Sequence, residues 1–127
     1  MTLADYDAIL QTILHRYIDG CNEHDAKKLG SAFHKDAWIF VFDQEGKFSN
    51  WHLDDETFAI WAKDEGEDPI VPRIFSVNQM GDVANVVLGF GKDWVDSHNL
   101  ARIDGVWKIT NKTATHSSRV SPLWANS

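Results

Sequence analysis

Four consecutive polar residues, Asp96-Ser97-His98-Asn99, are the first candidates for chemistry in this chain. They interrupt residues 93–103, whose other positions are typical of a β-strand. Because side chains alternate across a strand, two of the four must face inward. If Asp96 and His98 face inward, they form an acid–base pair suited to proton transfer. If Ser97 and Asn99 do, they are suited to orienting a ligand, and in either case the other pair is solvated on the outer face.

Aromatic residues supply the other candidate ligand contacts. Tyr17 carries a phenol that can donate a hydrogen bond to a ligand carbonyl, or serve as a core tyrosine bonded to the backbone. Trp51, Trp61 and Trp94 are candidates for the mouth of a pocket, with core packing as the alternative. The six histidines show no metal-binding spacing, and the single Cys21 does not join them. We therefore predict no metal site and no cofactor.

Helices are predicted at three places from the spacing of apolar residues. Residues 3–21 have the i, i+3, i+4, i+7 pattern of a long amphipathic helix that starts at the N-cap Thr2 and stops at residues 20–22. A second helix is capped by Asp25 and ends near His34. A third begins at residue 54 or 55. We predict that the acidic segment at residues 64–68, with Pro69 and Pro72, ends it and forms a mobile loop. The third helix is expected to bury Phe58, Ile60, Trp61 and Ala62.

Strands account for most of the remaining chain. Residues 37–42 are apolar on both faces, so both faces need cover. The other predicted strands are residues 48–51, 74–80, 83–91, 93–103 and 106–115, before a tail at residues 116–127. Asp104-Gly105 joins the last two strands, because this dipeptide suits the positive φ angles of a tight hairpin. The order of helices and strands predicts one α+β domain over residues 1–127.

Composition excludes several classes of protein. A formal net charge of -7 disfavours binding to a nucleic acid backbone. The sequence shows no apolar run of membrane-spanning length, and residues 1–7 lack the features of a signal peptide. We therefore expect a cytoplasmic protein that has neither a nucleic acid nor a membrane as partner.

Several short strings follow one another along this order of helices and strands. They are Tyr17-Ile18-Asp19-Gly20, then Asp25, Leu29, Ala32-Phe33-His34 and Ala37, and Leu-x-x-x-Asp-Gly-x-Trp-Lys-Ile-x-x-Lys from Leu100 to Lys112. In these strings and their order the sequence resembles the NTF2-like superfamily, which includes nuclear transport factor 2, ketosteroid isomerases, scytalone dehydratase and SnoaL-like polyketide cyclases. It is most similar to the lumazine-binding-like branch of mostly uncharacterised proteins.

The resemblance implies an NTF2-like (cystatin-like) cone, in which three N-terminal helices pack on a strongly curved, mostly antiparallel sheet around a conical pocket. It also implies that the outer face of the sheet is used for dimerisation. Alternation places Trp38, Phe40 and Phe42 on one face of their strand and Ile39, Val41 and Asp43 on the other. The aromatic content of this strand makes a homodimer through the outer face the expected assembly.

The resemblance also bears on catalysis. Tyr17 matches by position the oxyanion-hole tyrosine of ketosteroid isomerases. The general base of those enzymes falls near Val41 and their protonated acid near Asn99, so we do not expect steroid isomerisation. Asp96 and His98 are suited instead to a proton transfer similar to that of scytalone dehydratase.

Two functions are compatible with the sequence. The first is binding of a small, largely apolar molecule in a conical pocket, with metal-free proton transfer of the isomerase, cyclase or dehydratase type as its possible chemistry. Tyr17, Asp96 and His98 are the expected catalytic residues, and Asn99 is an expected ligand contact. The second is a non-catalytic homodimeric interaction module with a filled cone.

Overall fold

The computed structural model describes residues 1–63 and 68–120. Residues 64–67 of the predicted mobile loop, and the predicted tail after residue 120, lie outside the described residues. Among the described helices, none is long and apolar enough to cross a membrane.

The first helix is a continuous helical rod of residues 3–22 in three parts. It consists of α1 (Leu3–Leu10), a π-helical segment (Gln11–Ile18) and α2 (Asp19–Asn22). The N-cap is Thr2, as predicted, and its Oγ1 accepts a hydrogen bond from Asp5 N at 3.1 Å. The apolar spacing did not indicate the π-helical segment, a conformation often found near functional sites. It carries Tyr17, which is almost fully buried.

The first helix ends at Asn22, within the predicted stop at residues 20–22, but Gly20 is not the residue that ends it. Gly20 lies inside α2, where a Cβ atom would come within 2.6 Å of Leu29 N. It therefore allows close packing against α3 (Ala26–Gly30) and does not stop the helix. The chain turns instead at His24, which has a φ of 56°.

The second helix, α3, is capped by Asp25 as predicted, but it is shorter than predicted. It ends at Gly30, and β1 (Phe33–Phe42) begins three residues later. Ala32 O accepts a hydrogen bond from Ile109 N at 2.8 Å, and Phe33 pairs with Ile109. The backbone that the local pattern assigned to a helix therefore pairs with a distant strand instead. As a result, His34 lies in β1.

The third helix, α4 (Asp55–Ala62), is capped by Asp54, whose carboxylate accepts a hydrogen bond from Thr57 N at 2.9 Å. Phe58 and Ala62 are buried and Trp61 is half-buried, as expected. Ile60 is 62% exposed, so its predicted burial is wrong. The helical repeat turns position 60 away from the face shared by positions 58 and 62.

The strands after β1 are β2 (Phe48–His52), β3 (Pro72–Met80), β4 (Val83–Phe90), β5 (Trp94–Ile103) and β6 (Val106–His116), followed by a 3₁₀ turn (Ser117–Arg119). These six strands of the described residues form one open, mostly antiparallel sheet in the order β2-β1-β6-β5-β4-β3. Among their pairings, only β1–β6 is parallel. The predicted hairpin occupies the two central positions, and its turn residues Asp104 and Gly105 have φ angles of 51° and 80°. The predicted α+β class is confirmed.

The two faces of the sheet differ in composition. The inner face packs against Ile9 and Ile13 of the first helix and contributes Val86, Leu88, Leu100, Trp107 and Ile109 to the core. On β1, Ile39 faces inward, whereas Trp38 is 41% exposed. Phe48, on the neighbouring strand, is 51% exposed. The homodimer expected through this outer face stays a prediction.

Candidate ligand-binding site

A pocket of about 800 Å³ lies between the first helix, α4 and the inner face of the sheet. The three tryptophans proposed from the sequence, Trp51, Trp61 and Trp94, all line it. Phe90 and Val41 add further apolar surface, and Tyr17, Asp96 and Lys112 supply polar groups. The described residues therefore leave a cavity where the alternative hypothesis had a filled cone.

The structure decides which residues of the polar stretch face inward. Asp96 and His98 are 1% and 0% exposed on the inner face of β5. Asn99 is exposed on the opposite face, where it accepts a hydrogen bond from Asn85 and donates one to Asn111. Asn99 does not line the pocket, so its expected role as a ligand contact has to be corrected. The cause is strand alternation, which buries Leu100 together with Asp96 and His98.

Tyr17, Asp96 and Lys112 form a buried polar cluster within the pocket wall. The Tyr17 hydroxyl donates a hydrogen bond to Asp96 Oδ2 at 3.0 Å. It accepts one from Lys112 Nζ at 2.6 Å. Lys112 Nζ also lies 3.5 Å from Asp96 Oδ2, within ion-pair distance. The first helix, β5 and β6 each supply one member, so the cluster exists only in the folded chain.

Lys112 is the member of this cluster that sequence reasoning missed. Trp107 and Ile109 face inward on β6, so strict alternation would send Lys112 outward. The pairing of β5 with β6 shifts between Asn99 and Leu100, whose partners are Asn111 and Ile109. Thr110 is therefore the extra residue of a β-bulge, and the bulge turns Lys112 inward. Lys112 is part of the string that carries the family resemblance, but nothing in its spacing indicated burial.

Aromatic rings surround the Lys112 ammonium. Nζ lies 4.5 Å from the ring centroid of Trp61, 5.0 Å from that of Tyr17 and 5.4 Å from that of Phe90. Cation–π contacts of this kind offset part of the cost of burying an ammonium group. Lys112 is only 7% exposed. The pocket therefore contains a positioned, largely desolvated cation.

The ionisation of the cluster follows from burial and charge. Burial raises the pKa of the Tyr17 phenol well above its ordinary value, and the Asp96 charge raises it further. Burial would also raise the pKa of the Asp96 carboxyl, but the Lys112 ammonium and the His98 imidazole lower it below its ordinary value. Tyr17 is thus a neutral phenol and Asp96 a carboxylate at neutral pH.

His98 stands behind this cluster and does not line the pocket. Its Nε2 lies 3.3 Å from Asp96 Oδ2, without the alignment of a hydrogen bond. Among the described residues, neither ring nitrogen has a hydrogen-bond partner. Burial lowers the pKa of the imidazole below its ordinary value, so His98 is neutral at pH 7. The ring packs edge-on against Tyr17, with centroids 4.9 Å apart.

The cluster offers a ligand one cationic donor beside one carboxylate acceptor. The Tyr17 proton is already directed at Asp96, so Lys112 takes the donor role that the sequence assigned to Tyr17. The contacts of Asp96 with Tyr17, His98 and Lys112 all fall on Oδ2. Within residues 1–63 and 68–120, no three His, Cys, Asp or Glu side chains come together as a metal site requires.

An open six-stranded sheet packed against N-terminal helices, with a pocket between them, defines an NTF2-like protein with a cystatin-like fold. Residues 4–114 match the family described as putative lumazine-binding, and the chain belongs to this family. The resemblance seen in the sequence is therefore confirmed. No curated protein matches this chain.

Solved structures of NTF2-like proteins share the fold. One of unknown function from Shewanella baltica has a TM-score of 0.79 at 21% identity, covering 91% of this chain and 96% of its own. Another NTF2-like protein of unknown function, from Methylobacillus flagellatus, has a TM-score of 0.77 at 24% identity. The match covers 91% of this chain and 94% of that protein's chain. A ketosteroid isomerase-like protein from Erwinia carotovora atroseptica has a TM-score of 0.64 at 13% identity. The match covers 95% of this chain and 100% of that protein's chain. At these identities the likeness shows the fold alone.

Proposed function

We propose that this protein binds a small, largely apolar cyclic molecule in its pocket and holds an acceptor oxygen of that molecule against Lys112 Nζ. The buried ammonium group of Lys112, set among aromatic rings in the pocket wall, is the observation that carries this proposal. The pocket volume of about 800 Å³ is within the range of small-molecule sites.

The composition of the walls supports a flat ligand. Trp61 and Phe90 offer aromatic faces on which a ring can stack. An ammonium group has three protons, of which one is donated to Tyr17, while Asp96 Oδ2 lies within ion-pair distance of Nζ. A remaining proton is the donor for the ligand. Orientation would thus come from one charge-assisted hydrogen bond, and most of the affinity from apolar burial.

Metal-free proton transfer is a second candidate function, favoured by the ionised carboxylate of Asp96 beside Lys112. In this step Asp96 takes a proton from the carbon next to a ligand carbonyl. The C–H electron pair forms the enolate, whose oxygen accepts a hydrogen bond from Lys112. Because its pKa is low, Asp96 is a weak base, so the substrate must have an already acidic C–H bond, as in a 1,3-dicarbonyl compound. Steroid isomerisation is not proposed, because the family resemblance puts its base near Val41, which is an apolar residue of the pocket wall.

Tryptophan fluorescence tests the binding proposal directly, because three of the described tryptophans line the pocket. The titration uses lumazine, after the family's description, and a panel of bicyclic ketones and carboxylates. We expect saturable quenching by at least one compound and a loss of affinity of at least tenfold in Lys112→Met. Lys35→Met, at an exposed position, is the matched control and should bind like the wild type. Equal affinity in Lys112→Met and wild type would refute the proposal.

The catalytic candidate has a separate test. Deuterium exchange at the acidic C–H of a bound 1,3-dicarbonyl compound is followed by NMR in D₂O. Asp96→Asn removes the base, so exchange should fall to the uncatalysed rate while the compound still binds. Exchange that continues unchanged in this variant would leave ligand binding as the function.

A further inference from the structure

His98 is a buried titratable group that the proposed function does not use. Its side chain is fully buried, and its two ring nitrogens make no hydrogen bond to the described residues. An unsatisfied buried polar group costs free energy and calls for an explanation. A hydrophobic residue at this position would avoid the cost. The position of Nε2 beside the Asp96 carboxylate indicates what an imidazole provides here that an apolar side chain would not.

Among the described residues, the titratable groups around His98 come from three elements. Asp96 lies on its own strand, with Oδ2 at 3.3 Å from Nε2. Lys112 is its partner across the β5–β6 pairing, and Tyr17 packs on its ring from the first helix. On the β4 side its partner is Val86, which has no charge. With His98 neutral, the ammonium and the carboxylate balance each other, and the cluster has no net charge.

An oxyanion placed against Lys112 would upset this balance. The buried cluster would then hold two negative charges and one positive charge, which is costly at low local dielectric. One added proton restores neutrality. Protonation of Asp96 would neutralise the carboxylate and so remove its ion pair with Lys112. Protonation of Nε2 instead creates a second cation 3.3 Å from Asp96 Oδ2, within ion-pair distance of that carboxylate.

We propose that the pocket takes weakly acidic cyclic molecules, such as phenols, enols and carboxylic acids, as an oxyanion together with one proton stored on His98. The oxyanion lies against Lys112, and the proton comes from solvent or from the ligand's own acid group. The ligand class rests on the proposed function of the pocket. The response of His98 to the charge of the cluster can be tested without a ligand.

The ligand test compares 2-naphthoate with its neutral analogue 2-acetylnaphthalene. Calorimetry at pH 8 in two buffers of different ionisation enthalpy measures the protons taken up on binding. We expect uptake of close to one proton with naphthoate and none with the ketone. Naphthoate affinity should then fall about tenfold per pH unit at and above pH 8, as for any binding step that takes up one proton.

Two histidine variants show which residue takes the proton. His98→Gln should abolish the uptake and reduce the preference for naphthoate over the ketone by at least tenfold. His15→Gln, at an exposed histidine, is the control and should retain both. Naphthoate binding without proton uptake, or uptake that persists in His98→Gln, would overturn the proposal.

The ligand-free test uses Lys112→Met, with Lys112→Gln as a second variant if the first does not fold. Loss of the ammonium leaves Asp96 uncompensated, so His98 should take up a proton. Nitrogen-15 NMR at pH 7 should show a neutral ring in the wild type and an imidazolium in the variant. If the imidazolium forms but no ligand binds, the role of His98 stands and the proposed function fails. If His98 stays neutral in the variant, the inference fails even where ligands bind.

Discussion

Lys112 Nζ donates a hydrogen bond of 2.6 Å to the Tyr17 hydroxyl, across a sequence separation of 95 residues. This contact joins a central strand of the sheet to the first helix inside the pocket. It also connects the ligand-facing ammonium to Asp96, because the same hydroxyl donates to Asp96 Oδ2. The pocket and the stability of the fold therefore depend on the same three side chains.

Lys112→Met should destabilise the protein by about 3 kcal/mol at pH 8, because it leaves the buried Asp96 carboxylate without its cation. The loss should be smaller at pH 6, where protonation of His98 supplies a replacement charge. Urea unfolding at both pH values measures the difference. The double variant with Asp96→Asn should recover part of the loss. A cost below about 1 kcal/mol at both pH values would mean that the ion pair contributes little.

Tyr17→Phe should cost about 1 to 3 kcal/mol, because Asp96 loses a hydrogen-bond donor and Lys112 an acceptor in a buried site. Tyr6→Phe, at a partly exposed tyrosine for which no hydroxyl bond is described, is the control and should change stability by less than about 0.5 kcal/mol. Urea melts of both variants make the comparison. Equal stability of the two would contradict the buried hydrogen bonds. The Tyr17 hydroxyl forms these hydrogen bonds within the protein, whereas the Tyr17 ring lines the pocket. A urea melt therefore does not report ligand affinity, which has to be measured in its own titration.

The stability of the wild type should fall as the pH is lowered from 7 to 5. His98 is neutral in the folded state with a lowered pKa, whereas in the unfolded chain it takes up a proton near pH 6.5. The contribution of His98 to the free energy of unfolding is therefore complete above that pH. Below that pH it decreases, by at most about 1.4 kcal/mol per pH unit. Asp96 stays ionised in this window, since its folded pKa is also lowered.

Chemical unfolding of wild type and His98→Gln at each pH isolates this contribution, because the other five histidines are common to both. The difference in unfolding free energy between the two proteins should change between pH 7 and pH 5. His15→Gln, at an exposed histidine, is measured beside them as a control for replacing a histidine by glutamine. Parallel pH profiles for wild type and His98→Gln would show that His98 titrates alike in the folded and unfolded chains.

Gly20→Ala should destabilise the fold by about 1 to 3 kcal/mol, since the added Cβ would meet the backbone of Leu29 at 2.6 and 2.7 Å. Gly30→Ala places a Cβ 3.1 Å from the Phe58 ring, which can move aside. Its cost should therefore be clearly smaller. Thermal melts of the two variants test whether α2 and α3 pack as closely as the structure shows.

Local patterns in the sequence were sufficient for much of the fold. The cap at Thr2, the hairpin turn at Asp104-Gly105 and most strand positions were predicted correctly, because each depends on neighbouring residues. The three pocket tryptophans were also among the predicted candidates. The end of the second helix was predicted wrongly, because Ala32 and Phe33 bond to β6, which is remote in sequence.

The arrangement of the polar cluster depended on tertiary structure. Asp96 and His98 were candidates from the start, but packing of β5 against the first helix decided that they face inward and Asn99 outward. Lys112 was missed because the bulge at Thr110 reverses the alternation of β6. A bulge arises from the register of two paired strands, and periodicity within one strand does not contain that register.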